Sequence, residues 1–267
     1  MNPSVEHSDM QSVSHHGRKT AYRTAGADAD VTLLLVHGSG ATSEIWDEQF
    51  ALGEQYAIVA PDCSGHGESE DVDASAGYPT LAAYGDDVLA VAEATDADVL
   101  VGNSMGGAIV MHLLIERDPE VDAAVLSGTG ARLGVLEDLL RWLETDFDRA
   151  VEFFHGSGRF FQNPDHEAVE HSVRLMSECG QRITRRDMHT CHRFDERRRL
   201  PEIDVPTLVV SGAADMLTPP WFHEYLAEEI PDAELTTIDD AAQLSMIERP
   251  AAFNEALTRF LERLEIG

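Results

Sequence analysis

The chain has 267 residues, 49 acidic and 19 basic, for a formal net charge of −30; so acidic a surface excludes free nucleic acid and anionic membrane as natural partners. Hydrophobic residues make up 43% of it, which excludes a disordered chain and suits one large α/β domain or two small ones. No apolar run is long enough to span a bilayer, and residues 1–17 lack a signal-peptide core, so a soluble cytoplasmic protein is expected.

Taken in chain order, the first expected element is a polar edge hairpin over 12–25, turning at Gly17. Short runs that are apolar on both faces follow at 31–36, 56–60, 99–101, 123–126 and 207–210, as buried parallel strands require. Helical patterns fall between them at 80–94, 105–117 and 221–229. A strand over 233–238 precedes a last helix over 250–264, with Phe253, Leu257, Phe260, Leu261 and Leu264 on one face. Alternation of this kind predicts a mostly parallel sheet with helices on both sides. One region departs from it. From 131 to 200 no strand is expected. Leu133, Leu136, Leu139, Leu140 and Leu143 repeat at helical spacing, as do Val169, Val173, Leu175 and Met176. The domain expectation is therefore a core of 1–130 and 201–267, with 131–200 a helical cap inserted after the sixth strand. Ligands of open α/β sheets bind beyond the carboxyl ends of the strands, where this insertion begins and ends, so it reads as a lid over a pocket.

The chemistry centres on Gly102-Asn103-Ser104-Met105-Gly106, a G-x-S-x-G joining a strand directly to a helix. Such a turn strains the serine backbone and lifts its hydroxyl above the sheet, while the glycines let strand and helix approach. With this motif the sequence resembles the α/β-hydrolase superfamily over nearly its whole length. Leu33-Leu34-Leu35-Val36-His37-Gly38-Ser39-Gly40 is similar to the family's strand and H-G oxyanion loop. Pro61-Asp62-Cys63-Ser64-Gly65-His66-Gly67-Glu68-Ser69 resembles its P-D-x-x-G-H-G-x-S turn. Ser211-Gly212-Ala213-Ala214-Asp215 resembles its acid-bearing loop, and Glu248-Arg249-Pro250 the E-x-P that opens its last helix.

The resemblance implies an eight-stranded, mostly parallel sheet and assigns roles. Ser104 would be the nucleophile and Asp215 the acid that orients a base. The backbone N–H groups of Met105 and of Ser39, with Gly40 the less favoured choice, would form the oxyanion hole. Gly38, Gly40 and Asn103 would border the pocket, and His37 and His66 would shape loops. No cofactor and no metal is expected. The family's base histidine lies five residues before the glutamate of E-x-P, and here that position holds Gln243. An amide cannot take up a proton near neutral pH. Loss of the base costs up to ~10⁶ in turnover and leaves ~10³–10⁴ over water. Four explanations stay open: a weak or altered enzyme, a ligand-binding protein on a hydrolase frame, an introduced inactivating change, or a histidine arriving from elsewhere. His223, His155, His166, His171, His189 and His192 are the candidates for the last, since no histidine follows His223.

The expected function is therefore serine-hydrolase-like chemistry on a small uncharged or weakly charged ester, lactone or activated carbonyl compound. The alternative is an inactive protein that binds a small ligand. Asn103 before the serine resembles a subgroup that hydrolyses carbon–carbon bonds, and also lactonase-like and esterase-like relatives. The run from Arg186-Asp187 to Phe194-Asp195 resembles lids of lactonase-like members. Arg182, Arg185 and Arg186 either place positive charge near an acidic substrate or form solvated salt bridges. Lys19 is the only lysine against 18 arginines; an acidic, lysine-poor surface resembles that of proteins from salt-accumulating microbes, and predicts a fold that loosens on desalting. Three scattered cysteines, Cys63, Cys179 and Cys191, argue for a reducing compartment. Cys179 with His189, Cys191 and His192 lacks metal-ligand spacing.

Overall fold

In the computed structural model, which describes residues 10–26, 29–163 and 166–266, the apolar runs become strands of one sheet. β1 (Met10–His15) and β2 (Arg18–Ala25) form the hairpin expected about Gly17. β3 (Thr32–Val36), β4 (Ala57–Pro61), β5 (Val99–Asn103), β6 (Ala123–Ser127), β7 (Thr207–Gly212) and β8 (Ala233–Ile238) follow. The order across the sheet is β1-β2-β4-β3-β5-β6-β7-β8, antiparallel as far as β4 and parallel from β4 to β8. The eight-stranded architecture is the one expected.

Successive residues on a strand point to opposite faces, and here both faces are covered. Leu33, Leu35, Ile58, Val101 and Val125 pack on one side with Trp46, Phe253 and Phe260. Leu34, Val36, Val59, Leu100 and Leu126 pack on the other with Tyr84, Val88 and Ile109. That is why these strands read as unbroken apolar runs rather than alternating ones. The helices are α1 (Tyr78–Thr95), α2 (Met105–Glu116), α3 (Glu137–Thr145), α4 (Phe147–Phe154), α5 (Val169–Arg193), α6 (Pro220–Glu229), α7 (Ser245–Glu248) and α8 (Pro250–Arg263).

α3, α4 and α5 lie between β6 and β7, in the segment that the sequence reads as all-helical. Two details differ from expectation. Leu133 and Leu136 precede α3 rather than belonging to it: Gly134 intervenes, and Leu136 is already extended, with ψ of 136°. Also, an isolated bridge pairs Arg132 with Asp195, closing the neck of the segment. A 3₁₀ stretch over Ser43–Glu54, capped by the Thr42 hydroxyl, adds Trp46 and Phe50 to the core.

The chain leaves β3 for β4 on one side and later enters β5 on the other. This reversal opens a crevice at the carboxyl edge, the ordinary ligand position in such sheets. The loops after β3, β5, β6, β7 and β8 all end there.

Candidate active site

Ser104 stands between β5 and α2 with φ of 53° and ψ of −115°, a conformation that a residue with a side chain adopts only when its surroundings force it. The forcing is visible in the two glycines. A Cβ on Gly102 would overlap the Gly106 carbonyl, and one on Gly106 would overlap the Val36 carbonyl. Strand and helix therefore come together only with hydrogen at both positions. Ser104 N donates to Ser127 O at 2.9 Å, and Thr129 Oγ1 donates to Ser104 O at 2.8 Å, fixing the turn to the end of β6. Met105 opens α2, so its N–H has no intrahelical acceptor.

A cavity of about 340 Å³ lies over this turn. Gly38, Ser39, Gly40, Asn103, Ser104 and Gln243 border it, beneath apolar side chains of the β6–β7 segment such as Leu139, Phe154, Phe160 and Leu175. Gln243, in the loop between β8 and α7, donates from Nε2 to Ser104 Oγ at 3.2 Å and to Gly128 O at 3.2 Å. Its Oε1 is buried and has no hydrogen-bond partner among the described residues, an arrangement that costs stability unless something else supplies a donor. The Gln243 backbone is held from both sides. Asn103 Nδ2 donates to Gln243 O at 3.2 Å, and Gln243 N donates to Arg159 O at 3.1 Å. Leu244 N donates to Phe160 O at 3.0 Å. Buried Glu248 completes the bracket: one carboxylate oxygen accepts from Ala242 N at 2.7 Å and the other from Gln162 N at 2.9 Å.

Asp215, after β7, is 3% exposed. Burial pushes its carboxyl up to about 6, against the opposing hydrogen bonds from Thr218 and Leu217. Oδ1 accepts from Leu217 N and Thr218 N, and Oδ2 accepts from Thr218 Oγ1 at 2.6 Å. A Gln243 amide can in principle bond both Ser104 and Asp215; here it bonds the serine and Gly128, not the carboxylate.

Among the described residues no histidine is hydrogen-bonded to Ser104 or borders the cavity. His223 is buried behind the site. Its Nε2 accepts from Thr129 N at 3.2 Å, and burial holds it neutral, with its pKa lowered to about 4. His155 bonds Val151 O and Ser172 Oγ, His166 accepts from Ala168 N, and His171 and His189 face Glu44 and Glu144. His192 meets the Val135 backbone. His37 is neutral too, lowered to about 4 by burial and by His66, and its Nε2 accepts from Cys63 N at 3.0 Å.

A second polar cluster lies behind the H-G loop. Asp187, on α5 and fully buried, accepts from Tyr84 Oη at 2.7 Å, from Ser39 Oγ at 3.2 Å and from Gly40 N at 3.3 Å. It also pairs with His66 Nε2 at 2.9 Å. Burial works against charge on both partners. For His66 the Asp187 carboxylate outweighs it and raises the pKa well above the ordinary value; for Asp187 the His66 imidazolium, Tyr84 and Arg186 outweigh it and lower the pKa. Cys179 joins His66 and Asp187 in presenting ligand-type atoms within 4.8 Å of one another. His66 and Asp187 bond each other directly at 2.9 Å, with Cys179 beside them. The grouping of Cys179 with His189, Cys191 and His192 is not brought together: Cys191 borders the cavity, while His189 turns to Glu144.

Arg182 and Arg186 both pair with Asp71, at 2.6 and 2.8 Å, and Arg185 lies with them away from Ser104 in a separate cleft. The charged side chain that does border the cavity, Arg159, carries no local sequence signal; it sits in an irregular stretch after α4.

The description "Alpha/beta hydrolase family" belongs to the family model matched by residues 33–256. The chain belongs to the alpha/beta hydrolase family. Members similar to it include a pimeloyl-[acyl-carrier protein] methyl ester esterase of Neisseria meningitidis, 26% identical over 92% of this chain and 81% of that one. Another is 3-oxoadipate enol-lactonase 1 of Acinetobacter baylyi, 22% identical over 94% of this chain and 96% of that one. Among solved structures, a thermophilic esterase superposes with a TM-score of 0.84 at 29% identity, covering 96% of this chain and 98% of its own. Est816, described as an N-acyl homoserine lactone degrading enzyme, gives 0.83 at 26% identity, covering 94% of this chain and all of its own. Membership places the chain among hydrolases.

Proposed function

We propose that this protein is a serine hydrolase of small esters, lactones or activated carbonyl compounds, working through Ser104, with turnover limited because Gln243 stands where the family carries its histidine base. The observation that carries the reading is the Ser104 hydroxyl itself: held on a strained strand-to-helix turn, it opens onto an apolar cavity beside a hydrogen-bonding amide. The names of the relatives, esterases and lactonases, agree with it.

The geometry supports each step of this reading. Ser104 Oγ attacks the carbonyl carbon, and negative charge moves onto the carbonyl oxygen. The N–H groups of Met105 and Ser39 receive it. The Gly40 N–H is committed to Asp187, which leaves Ser39 as the donor from the H-G loop. Gln243 Nε2 donates to Ser104 Oγ, so it positions the hydroxyl and accepts nothing from it. The serine proton must pass to water or to the leaving group. Asp215, with no imidazole to steady, carries its high pKa instead. The residues 131–200 act in this reading as the lid that keeps water from the cavity.

A second reading has its own support: the apolar cavity over Ser104 suits a protein that binds a small ligand and does not turn it over. A fluorophosphonate probe separates the two. Labelling that vanishes in Ser104→Ala is the expected result. No labelling of the natural protein, restored by Gln243→His, removes the hydrolase reading and leaves the binding one.

A further inference from the structure

Among the described residues that border the cavity, Arg159 is the only one with a charged side chain. Its guanidinium lies 3.9 Å over the Phe153 ring, and Nη1 donates to Phe153 O at 2.9 Å. Gly156 leaves the room that Nη1 occupies, since a Cβ there would overlap it. The group is therefore fixed in place, yet no carboxylate lies within ion-pair distance of it among the described residues. Arg182, Arg186 and most other arginines here do pair with a carboxylate; Arg159 is one that does not, and it borders the cavity. Of the five N–H donors of a guanidinium, one is used by the protein.

We propose that Arg159 is a specificity residue. It selects a substrate or ligand that bears a carboxylate at the end remote from the carbonyl facing Ser104, with an apolar spacer between. The inference rests on the reading of the Ser104 cavity as the ligand site and adds the charge of what enters it. Three features point the same way. Guanidinium and carboxylate form paired, charge-assisted hydrogen bonds that no neutral group matches. The apolar walls give such a pair little competition from water. A surface of net charge −30 repels anions, so an anionic ligand needs a fixed cation inside the cavity, and a neutral ligand has no use for one. Arg159 O also accepts from Gln243 N, so the residue that would read the far end of the ligand is bonded to the residue beside the serine.

The test is a binding comparison in Ser104→Ala protein, which cannot consume an ester by acyl transfer. Monomethyl adipate, monomethyl suberate and monomethyl sebacate are measured by calorimetry against the corresponding dimethyl esters at constant salt. At least one monoester is expected to bind about tenfold or more tighter than its dimethyl partner. Adding Arg159→Gln should bring the two within about a factor of two of each other, whereas Arg159→Lys should retain part of the preference. A thermal melt of each variant establishes that it folds. Equal binding of the two ester types, no binding of either, or a preference that survives Arg159→Gln overturns the inference. Fluorophosphonate labelling of the natural protein reports the hydrolase reading separately. Carboxylate preference without labelling keeps this inference and removes that reading; labelling without preference does the reverse.

Discussion

Two buried polar clusters lie within one loop of each other at the carboxyl edge of the sheet, and they are built on opposite terms. Around Asp187 the charges cancel: His66 pairs with it, and Tyr84, Ser39 and Gly40 fill its remaining acceptor sites. Around Ser104 the account is left open. Among the described residues Gln243 Oε1 has no donor, Asp215 is raised to about 6 by burial, and the two are not hydrogen-bonded. A closed cluster of the first kind holds elements together; an open one of the second kind stores cost that a ligand can relieve. The Asp187 cluster ties α5 to the H-G loop, so the rigid cluster shapes the backbone on which the open one depends.

The largest effect expected from breaking this contrast comes from supplying what the open cluster lacks. Gln243→His should raise ester turnover by about 10³-fold or more. It should also add an acid limb to the pH–rate profile near the ordinary imidazole pKa, about 6.5. Unchanged turnover in a folded variant would argue that Asp215 is too far committed to Thr218 to orient the new imidazole.

Opening the closed cluster should be felt in stability. Asp187→Ala leaves a buried imidazolium without its counter-charge, and a loss of about 3–5 kcal/mol is expected in urea unfolding. A loss below about 1 kcal/mol, of the size seen for solvated pairs, would mean that His66 sheds its proton and that the cluster is held by neutral hydrogen bonds.

The smallest effect belongs to Asp215 and has a definite sign. Its carboxyl is raised to about 6 in the folded chain from an ordinary 3.8, so the folded state binds that proton more tightly than the unfolded state does. The stabilisation is whole below the unfolded pKa and is lost as the pH rises through about 6. The stability of the natural protein relative to Asp215→Asn should therefore fall by about 2–3 kcal/mol between pH about 4 and about 7. A difference that stays flat with pH would show an unshifted carboxyl.

Much of this was legible in the sequence wherever the cause is local. The run from Leu33 to Val36 announces a strand buried on both faces, and the glycines of G-N-S-M-G-G announce a strand and helix in close contact. Leu133 and Leu136 misled because helical spacing persists through Gly134, where the backbone does not stay helical. Other features depend on residues far apart in the chain. His66 and Asp187 are separated by 121 positions, and nothing near either names the other. The arginine cluster in the sequence points to Arg182, Arg185 and Arg186, of which Arg182 and Arg186 pair with Asp71, while the cavity receives Arg159 from an irregular stretch with no periodicity to reveal which way it faces. Gln243 stands out in the sequence only as a departure from the resemblance; its bond to Gly128 requires the loop after β6 to be in place.

The paired amide-to-carbonyl links from Gln243 and Leu244 to Arg159 and Phe160, with Glu248 clasping both segments of chain, make the 159–163 stretch and the loop carrying Gln243 a single mechanical part. Any swing of the 159–163 stretch must either snap those links or carry residue 243 along with it. The position of residue 243 beside Ser104 is thus coupled to that stretch by the backbone itself, whichever side chain it bears.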